Sequence, residues 1–118
     1  SARDARWALD LELERDGGMR VRSVTTAEVR LTGADGREKI RAMRHEAGFA
    51  GRYRLAEGCL VWAPAGPLEG ADLALARTNF GYRAETGEGR LEVRWDGDRM
   101  TLLGEARTLH FRRMFTGP

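Results

Sequence analysis

The chain has few of the residues that build disulfides, metal sites and membrane spans. Its 118 residues include one cysteine, Cys59, and two histidines, His45 and His110. A single cysteine excludes an internal disulfide, and no metal-ligand spacing links it to either histidine. No apolar run approaches the roughly 18 residues that a transmembrane helix requires. The sequence therefore predicts no metal, no cofactor and no membrane-spanning helix.

Groups that support catalysis are also scarce. The two serines, Ser1 and Ser23, lack the G-x-S-x-G context of an activated nucleophile. Cys59 is followed by Leu60 and Val61, apolar neighbours that disfavour a reactive thiolate. The acidic residues fall at outward strand positions or in turns, where solvent and ion pairs account for them. These features predict a protein that is not an enzyme.

A strong excess of charge of one sign is missing too. Twenty basic residues nearly cancel 18 acidic ones, for a net charge of +2, so we do not favour a nucleic-acid partner. The basic residues on polar strand positions either form a stripe that could meet phosphates or an acidic partner, or pair across the sheet with acids on the same faces, and we favour pairing. The arginines are Arg20, Arg22, Arg30, Arg52, Arg54, Arg94, Arg112 and Arg113, and the acids are Glu12, Glu14, Glu28 and Glu92.

Alternation of apolar and polar residues dominates the rest of the sequence. Leu91, Val93 and Trp95 alternate with charged residues before the turn pair Asp96-Gly97. Such pairs between alternating segments favour a hairpin, and turn signals recur about every ten residues. The pattern predicts one all-β domain over residues 1–118, an antiparallel β-sandwich or small barrel of seven to eight strands with little helix.

Two segments are less clearly assigned. Residues 37–47 fit helical spacing or strand alternation, and we favour a strand because the neighbouring segments are β. Residues 64–70 form a loop rich in proline and glycine. After it, Leu73 and Leu75 predict a strand, and Phe80-Gly81-Tyr82 begins another.

Eight of the nine aromatic residues divide into two groups. Four lie at inward strand positions and are predicted to pack in the core: Trp7, Tyr53, Trp95 and Phe111. Four others are candidate partner-binding residues, although core packing remains an alternative for at least half of them. They are Trp62 and Phe80, which flank the loop, together with Tyr82 and, in an apolar tail, Phe115.

The C-terminal third resembles a known family. Residues 96–102, DGDRMTL, followed by residues 107–113, RTLHFRR, look like the closing hairpin of META-domain envelope proteins. Residues 48–55 with residues 58–60 are similar to their middle hairpin, although the family's Gly-Cys-Asn element is missing. Those proteins are small, β-rich and often lipoproteins. Their architecture is similar to that of type III secretion pilotins, which grip the C-terminal segment of the outer-membrane secretin.

The resemblance implies a non-enzymatic protein of the bacterial periplasm, a pilotin or assembly factor that binds a secretin or another envelope component. The chain begins at Ser1 rather than Met, which fits an artificial boundary or removal of a signal segment. A lipidated cysteine upstream would anchor it to the outer membrane. Two alternatives stay open: a nucleic-acid-binding barrel of the OB type and a lipocalin-like carrier of a small apolar ligand.

Overall fold

Strands make up most of the fold. The computed structural model describes residues 2–105 and 107–112, with side chains from residue 5 onward. In chain order the elements are β1 (Ala2–Leu13), β2 (Gly18–Thr32), β3 (Glu38–Ala56), β4 (Cys59–Pro64), α1 (Gly70–Asn79), β5 (Tyr82–Arg83), β6 (Glu88–Asp96), β7 (Arg99–Leu103) and β8 (Thr108–Arg112).

The strands form one antiparallel sheet. Its order is β1-β2-β3-β4-β6-β7-β8. The short β5 pairs with the start of β6, at Glu88 and Gly89. The sheet curves until it nearly closes into a barrel, but in the described ranges no pairing joins β1 to β8. The all-β, antiparallel prediction is therefore confirmed.

The ambiguous segment at residues 37–47 belongs to a strand from Glu38 onward, as predicted. It forms the first half of β3, which pairs with β2 without interruption from Thr32–Glu38 to Gly18–Arg52. A turn at residues 33–37 joins the two strands, with the Gly33 amide donating to the Arg37 carbonyl over 2.9 Å. The sequence of this segment fits both helical spacing and strand alternation, and its pairing with β2 decides for the strand.

The outer parts of the first three strands project from the barrel as a three-stranded ribbon. We call residues 2–8, 24–32 and 38–46 the ribbon; none of its described side chains is buried. The molecule measures 61 × 35 × 27 Å, with a radius of gyration of 17.5 Å. A compact chain of this length would have a radius of about 13–14 Å. The ribbon accounts for the elongation.

The core fills the barrel interior and explains why two aromatic predictions were wrong. Trp7 and Trp95, predicted to be inward, are 46% and 56% exposed. Both occupy the core-facing phase of their strands, but Trp7 lies on the ribbon and Trp95 next to a hairpin turn, beyond the packed interior. Tyr53 and Phe111 do pack against the core, as predicted. The buried apolar cluster comprises Met19, Val21, Phe49, Leu60, Trp62, Leu75, Ala76, Phe80, Leu91, Met100, Leu102 and Leu109.

The segment after the proline- and glycine-rich loop is a helix, not the predicted strand. Leu75, Ala76 and Asn79 are its buried residues, which is helical spacing, and Asp72 lies in the first turn, where the helix dipole favours an acid. The Asp72 carboxylate also accepts a hydrogen bond from the Gly48 amide over 2.9 Å, which attaches α1 to β3. No helix in the described ranges has the length and apolar character needed to cross a membrane.

Candidate functional site

Two of the predicted partner-binding residues lie inside the protein. Trp62 is 1% exposed and Phe80 is 0% exposed. Their burial follows the alternative that at least half of the four candidates pack in the core, and it leaves these two side chains no exposed surface for a partner. Tyr82 is half-buried and reaches the surface, and Phe115 lies outside the described residues.

The structure nevertheless brings three of the four candidates together. The Trp62 ring lies 5.8 Å from Tyr82 and 6.5 Å from Phe80, measured between centroids. Phe49 stacks on Trp62 at 4.7 Å, with 15° between the planes. The indole Nε1 of Trp62 donates a buried hydrogen bond of 2.9 Å to the Phe80 carbonyl oxygen, which links β4 to the end of α1. This aromatic cluster holds the backbone that follows α1 in place, and the Trp62 ring packs against Tyr82.

Gly89 allows the cluster to form. It lies opposite Trp62 on β4 and opposite Tyr82 on β5. A Cβ at this position would overlap the Trp62 indole and lie 2.7 Å from the Phe80 carbonyl oxygen. The absence of a side chain on Gly89 is therefore what admits the Trp62 ring and the hydrogen bond that it makes.

A cleft of about 660 Å³ opens beside this cluster. It lies where the end of α1, the short β5 and the loop after β7 meet strands β3, β4 and β6. Its lining includes four arginines, two glutamates and several neutral polar residues. The lining residues are Arg54, Val61, Arg77, Thr78, Asn79, Gly81, Tyr82, Arg83, Thr86, Glu88, Arg90, Gly104 and Glu105.

The sheet register places two of the arginines on one face. Arg54 of β3 lies opposite Val61 of β4, and Val61 lies opposite Arg90 of β6. Directly opposed residues in antiparallel strands share a face, so the two arginines flank a single buried valine. Arg77 comes from the last turn of α1. Strand order and helix position together concentrate cationic side chains around the cleft.

Only part of this positive charge is neutralised within the cleft. Arg83 makes a 2.6 Å ion pair with Glu105, and Arg54 makes a longer pair of 3.9 Å with Glu88. Among the described residues, Arg77 and Arg90 have no ion-pair partner. The cleft lining therefore has a net charge of +2, counted as four arginines against two glutamates.

One neutral residue of the lining is also incompletely bonded. Asn79 is 6% exposed, and its Oδ1 is buried without a hydrogen-bond partner. A buried acceptor without a donor costs roughly 1–3 kcal/mol. Such a group in a native fold calls for an explanation, and a ligand that supplies an N–H or O–H donor would provide one.

Ion pairing elsewhere on the surface follows the predicted principle but with different partners. Arg94 forms an ion pair of 3.3 Å with Glu92 of the same strand. Among the described residues, Glu92 is the one acid of the predicted set that forms an ion pair. Arg22 pairs with Glu46 at 3.1 Å and Arg30 with Glu38 at 3.4 Å. These pairs occupy exposed surfaces, so they contribute little to the free energy of unfolding.

The groups around the cleft include several hydrogen-bond donors. Among the described residues, no group of three or more histidine, cysteine, aspartate or glutamate side chains is arranged to hold a metal. His45 and His110 are exposed and are not part of the cleft lining. Guanidinium groups form short, bidentate hydrogen bonds with carboxylates and phosphates. The cleft therefore has the donors for an anionic group. The Asn79 oxygen is enclosed in this conformation and would accept from a ligand N–H only after its side chain turns toward the cleft.

The sequence did not predict the cleft. Arg77, Arg83 and Arg90 were not among the candidate residues, since they lie on three different elements. They come together because β4 pairs with β6 rather than with its successor in the chain. The one available signal was local: Phe80 and Tyr82 pointed to the right region.

Comparison with family models, with curated proteins and with solved structures finds no match to this chain.

Proposed function

We propose that this chain is a non-enzymatic protein-binding module of the bacterial envelope, and that its cleft receives a carboxylate-bearing segment of a partner protein. In the specific form of this proposal it acts as a pilotin or assembly factor and the partner is a secretin. The observation on which this rests is the pair of arginines in the cleft lining that have no ion-pair partner among the described residues, Arg77 and Arg90.

The chemistry of a peptide segment complements this arrangement. A side-chain or terminal carboxylate would accept hydrogen bonds from Arg77 and Arg90. A backbone N–H of the same segment would satisfy Asn79, and the half-buried ring of Tyr82 offers an apolar contact. Capture of a carboxylate together with backbone hydrogen bonding is a recurring mode of peptide recognition.

The envelope setting has a separate support. It rests on the resemblance of the β6–β7–β8 segment and the β3–β4 hairpin to META-domain proteins, and through them on the analogy with pilotins. Periplasmic location and an outer-membrane lipid anchor are part of this proposal. Because fold alone does not determine function, the cleft and the compartment need separate tests.

The two alternative functions have less support from the cleft. A carrier of a small apolar ligand requires an apolar cavity. The barrel interior is instead occupied by side chains such as Trp62, Phe80 and Leu102, and the cleft is lined by charged groups. A nucleic-acid-binding barrel would use the arginines for phosphates, and it differs from a peptide binder in the steep salt dependence of its affinity.

Co-expression with C-terminal fragments of secretins tests the proposal. The unmodified chain should co-purify with a fragment, and the double variant Arg77→Glu/Arg90→Glu should lose it. The control is Arg15→Glu/Arg99→Glu, which changes the net charge equally at exposed positions outside the cleft lining. It should retain the fragment.

Three results would overturn parts of this proposal. Failure of folded protein to retain any secretin fragment would remove the pilotin form. Equal loss of the fragment in both double variants would show a general charge effect and not a site. Tight binding of a single-stranded oligonucleotide that weakens steeply with salt, with no binding of fragments, would favour the nucleic-acid alternative.

A further inference from the structure

One face of the ribbon continues the core-facing side of the barrel into solvent. On β2 and β3 the pairs Val21–Phe49 and Ala27–Met43 lie on the same face, the first inside the core and the second on the ribbon. We call this the odd face, after the odd residue numbers of its β2 and β3 positions. Its described members are Ala5, Trp7, Thr25, Ala27, Val29, Leu31, Lys39, Arg41, Met43 and His45.

The odd face is apolar and uncovered. Trp7 is 46% exposed, Leu31 48% and Met43 56%. Trp7 is also held in place, because its indole Nε1 donates to the Ser23 hydroxyl over 2.7 Å. Exposed apolar groups that lie together on an ordered surface are typical of an interaction site.

The charges on the odd face all have one sign among the described side chains. Lys39 and Arg41 lie opposite Leu31 and Val29, and His45 lies opposite Thr25. The acids of the ribbon whose side chains are described point to the other face, where Glu38 pairs with Arg30, and Glu46 with Arg44. In the part of the chain that the structure describes, Lys39 and Arg41 have no ion-pair partner. The even face is thus neutralised internally and the odd face is not.

This difference decides between possible occupants. A second copy packed face to face about a two-fold axis would bring cations of one odd face against cations of the other. Such contacts are unfavourable, and they disfavour self-association through this face. An occupant with apolar side chains and flanking carboxylates would match both the apolar strip and its cationic border.

We propose that the odd face of the ribbon is a second docking surface, and that it binds an acidic amphipathic segment of a partner protein. The proposal stands independently of the cleft, since no ribbon residue lines the cleft. The apolar side of the segment would cover Trp7, Leu31 and Met43. Its carboxylates would meet Lys39 and Arg41.

A designed peptide provides the probe. It has about 14 residues, with leucines along one side of a helix and glutamates along both borders. A second peptide has lysine in place of every glutamate. Binding is followed by fluorescence in a Trp95→Phe background, in which Trp7 is the only exposed tryptophan among the described residues.

The acidic peptide should shift the emission of Trp7 to shorter wavelength, and the lysine peptide should not. Met43→Glu and Arg41→Glu should each weaken the acidic peptide by about tenfold, because each removes a contact or reverses a charge. Ile40→Glu is the matched control. Ile40 is 63% exposed on the even face of the same strand, and its replacement should leave the affinity unchanged.

Four outcomes would overturn the inference. They are equal binding of both peptides, equal effects of Met43→Glu and Ile40→Glu, and a concentration-dependent dimer that buries Trp7. The fourth is a shift with vesicles of phosphatidylglycerol and phosphatidylcholine when the acidic peptide gives none, which would identify a lipid surface as the occupant. Circular dichroism confirms that each variant retains its β structure.

Discussion

Replacement of Trp62 by phenylalanine separates a structural role for this residue from a role in direct contact with a partner. Trp62 is 1% exposed, and its Nε1 donates to the Phe80 carbonyl oxygen over 2.9 Å. Phenylalanine retains an aromatic ring against Phe49 but removes the donor. The buried carbonyl would then lack this partner, at a cost of about 1–3 kcal/mol.

The smaller ring adds a second cost. The space left by the missing ring atoms contributes about 1 kcal/mol, at roughly 24 cal/mol per Å³ of unfilled volume. Together the two effects should lower the free energy of unfolding by about 2–4 kcal/mol. For a chain of this size that corresponds to a fall in Tm of about 8–16 °C.

Trp95→Phe is the matched control. Trp95 is 56% exposed, so the same substitution should change the free energy of unfolding by no more than about 0.5 kcal/mol. Unfolding is followed by far-ultraviolet circular dichroism in guanidinium chloride and by thermal scans, because tryptophan fluorescence changes with the substitutions themselves. Equal midpoints for Trp62→Phe and Trp95→Phe would refute the assignment of Trp62 to the core.

Three further predictions concern single residues. Gly89→Ala should destabilise the fold, because its Cβ would overlap the Trp62 indole; an unchanged unfolding midpoint would contradict the close approach. Hydrogen bonds, first from Arg44, lower the pKa of Glu46, so its stabilising effect is present at neutral pH and lost as the pH falls through that lowered value. The Glu46→Gln variant should therefore lose less stability than the unmodified chain on acidification, and the difference should be small because the ion pair is exposed. The unfolding midpoint is measured as a function of pH, and a larger loss in the variant would contradict the prediction. Asn79→Leu should stabilise the chain by about 1 kcal/mol, since it removes an unpaired buried acceptor, and should weaken capture of a fragment by the cleft. Calorimetry and the co-purification assay measure the two effects separately.

Local pattern was enough to predict the strands and most turns. Leu91, Val93 and the Asp96-Gly97 pair specify the β6–β7 hairpin by alternation and by the positive φ of 62° at Gly97. Neither signal depends on the rest of the chain. The first half of β3 is different, because its own sequence fits two periodicities and only the neighbouring strands decide for a strand.

Depth of burial was not predictable from alternation. Period two assigns a residue to a face but does not show how far the packed interior extends along that face. Trp7 and Trp95 illustrate the point, since both are on the core-facing phase and both end beyond the core. Trp62 and Phe80 show the reverse case, because α1 and β6 cover residues that border a loop in the sequence.

The helix and the cleft required tertiary information. Leu73 and Leu75 suggested period two, although the alanines around them suit a helix equally well. The burial of Leu75 and Ala76 in the shared core decides for the helix. The arginines of the cleft could be grouped only once the pairing of β4 with β6 was known.

The outer edge of β3 along the ribbon has a consequence for solubility. In the described structure, residues 38–46 hydrogen-bond to β2 alone, so their other edge is a template for a further strand. Such edges commonly lead to aggregation, and charged side chains are a usual protection against it. Lys39 and Arg41 supply that protection here, because neither has an ion-pair partner among the described residues and a neighbouring molecule aligned along this edge would meet both charges. Apolar residues at these two positions should make the protein precipitate through strand addition.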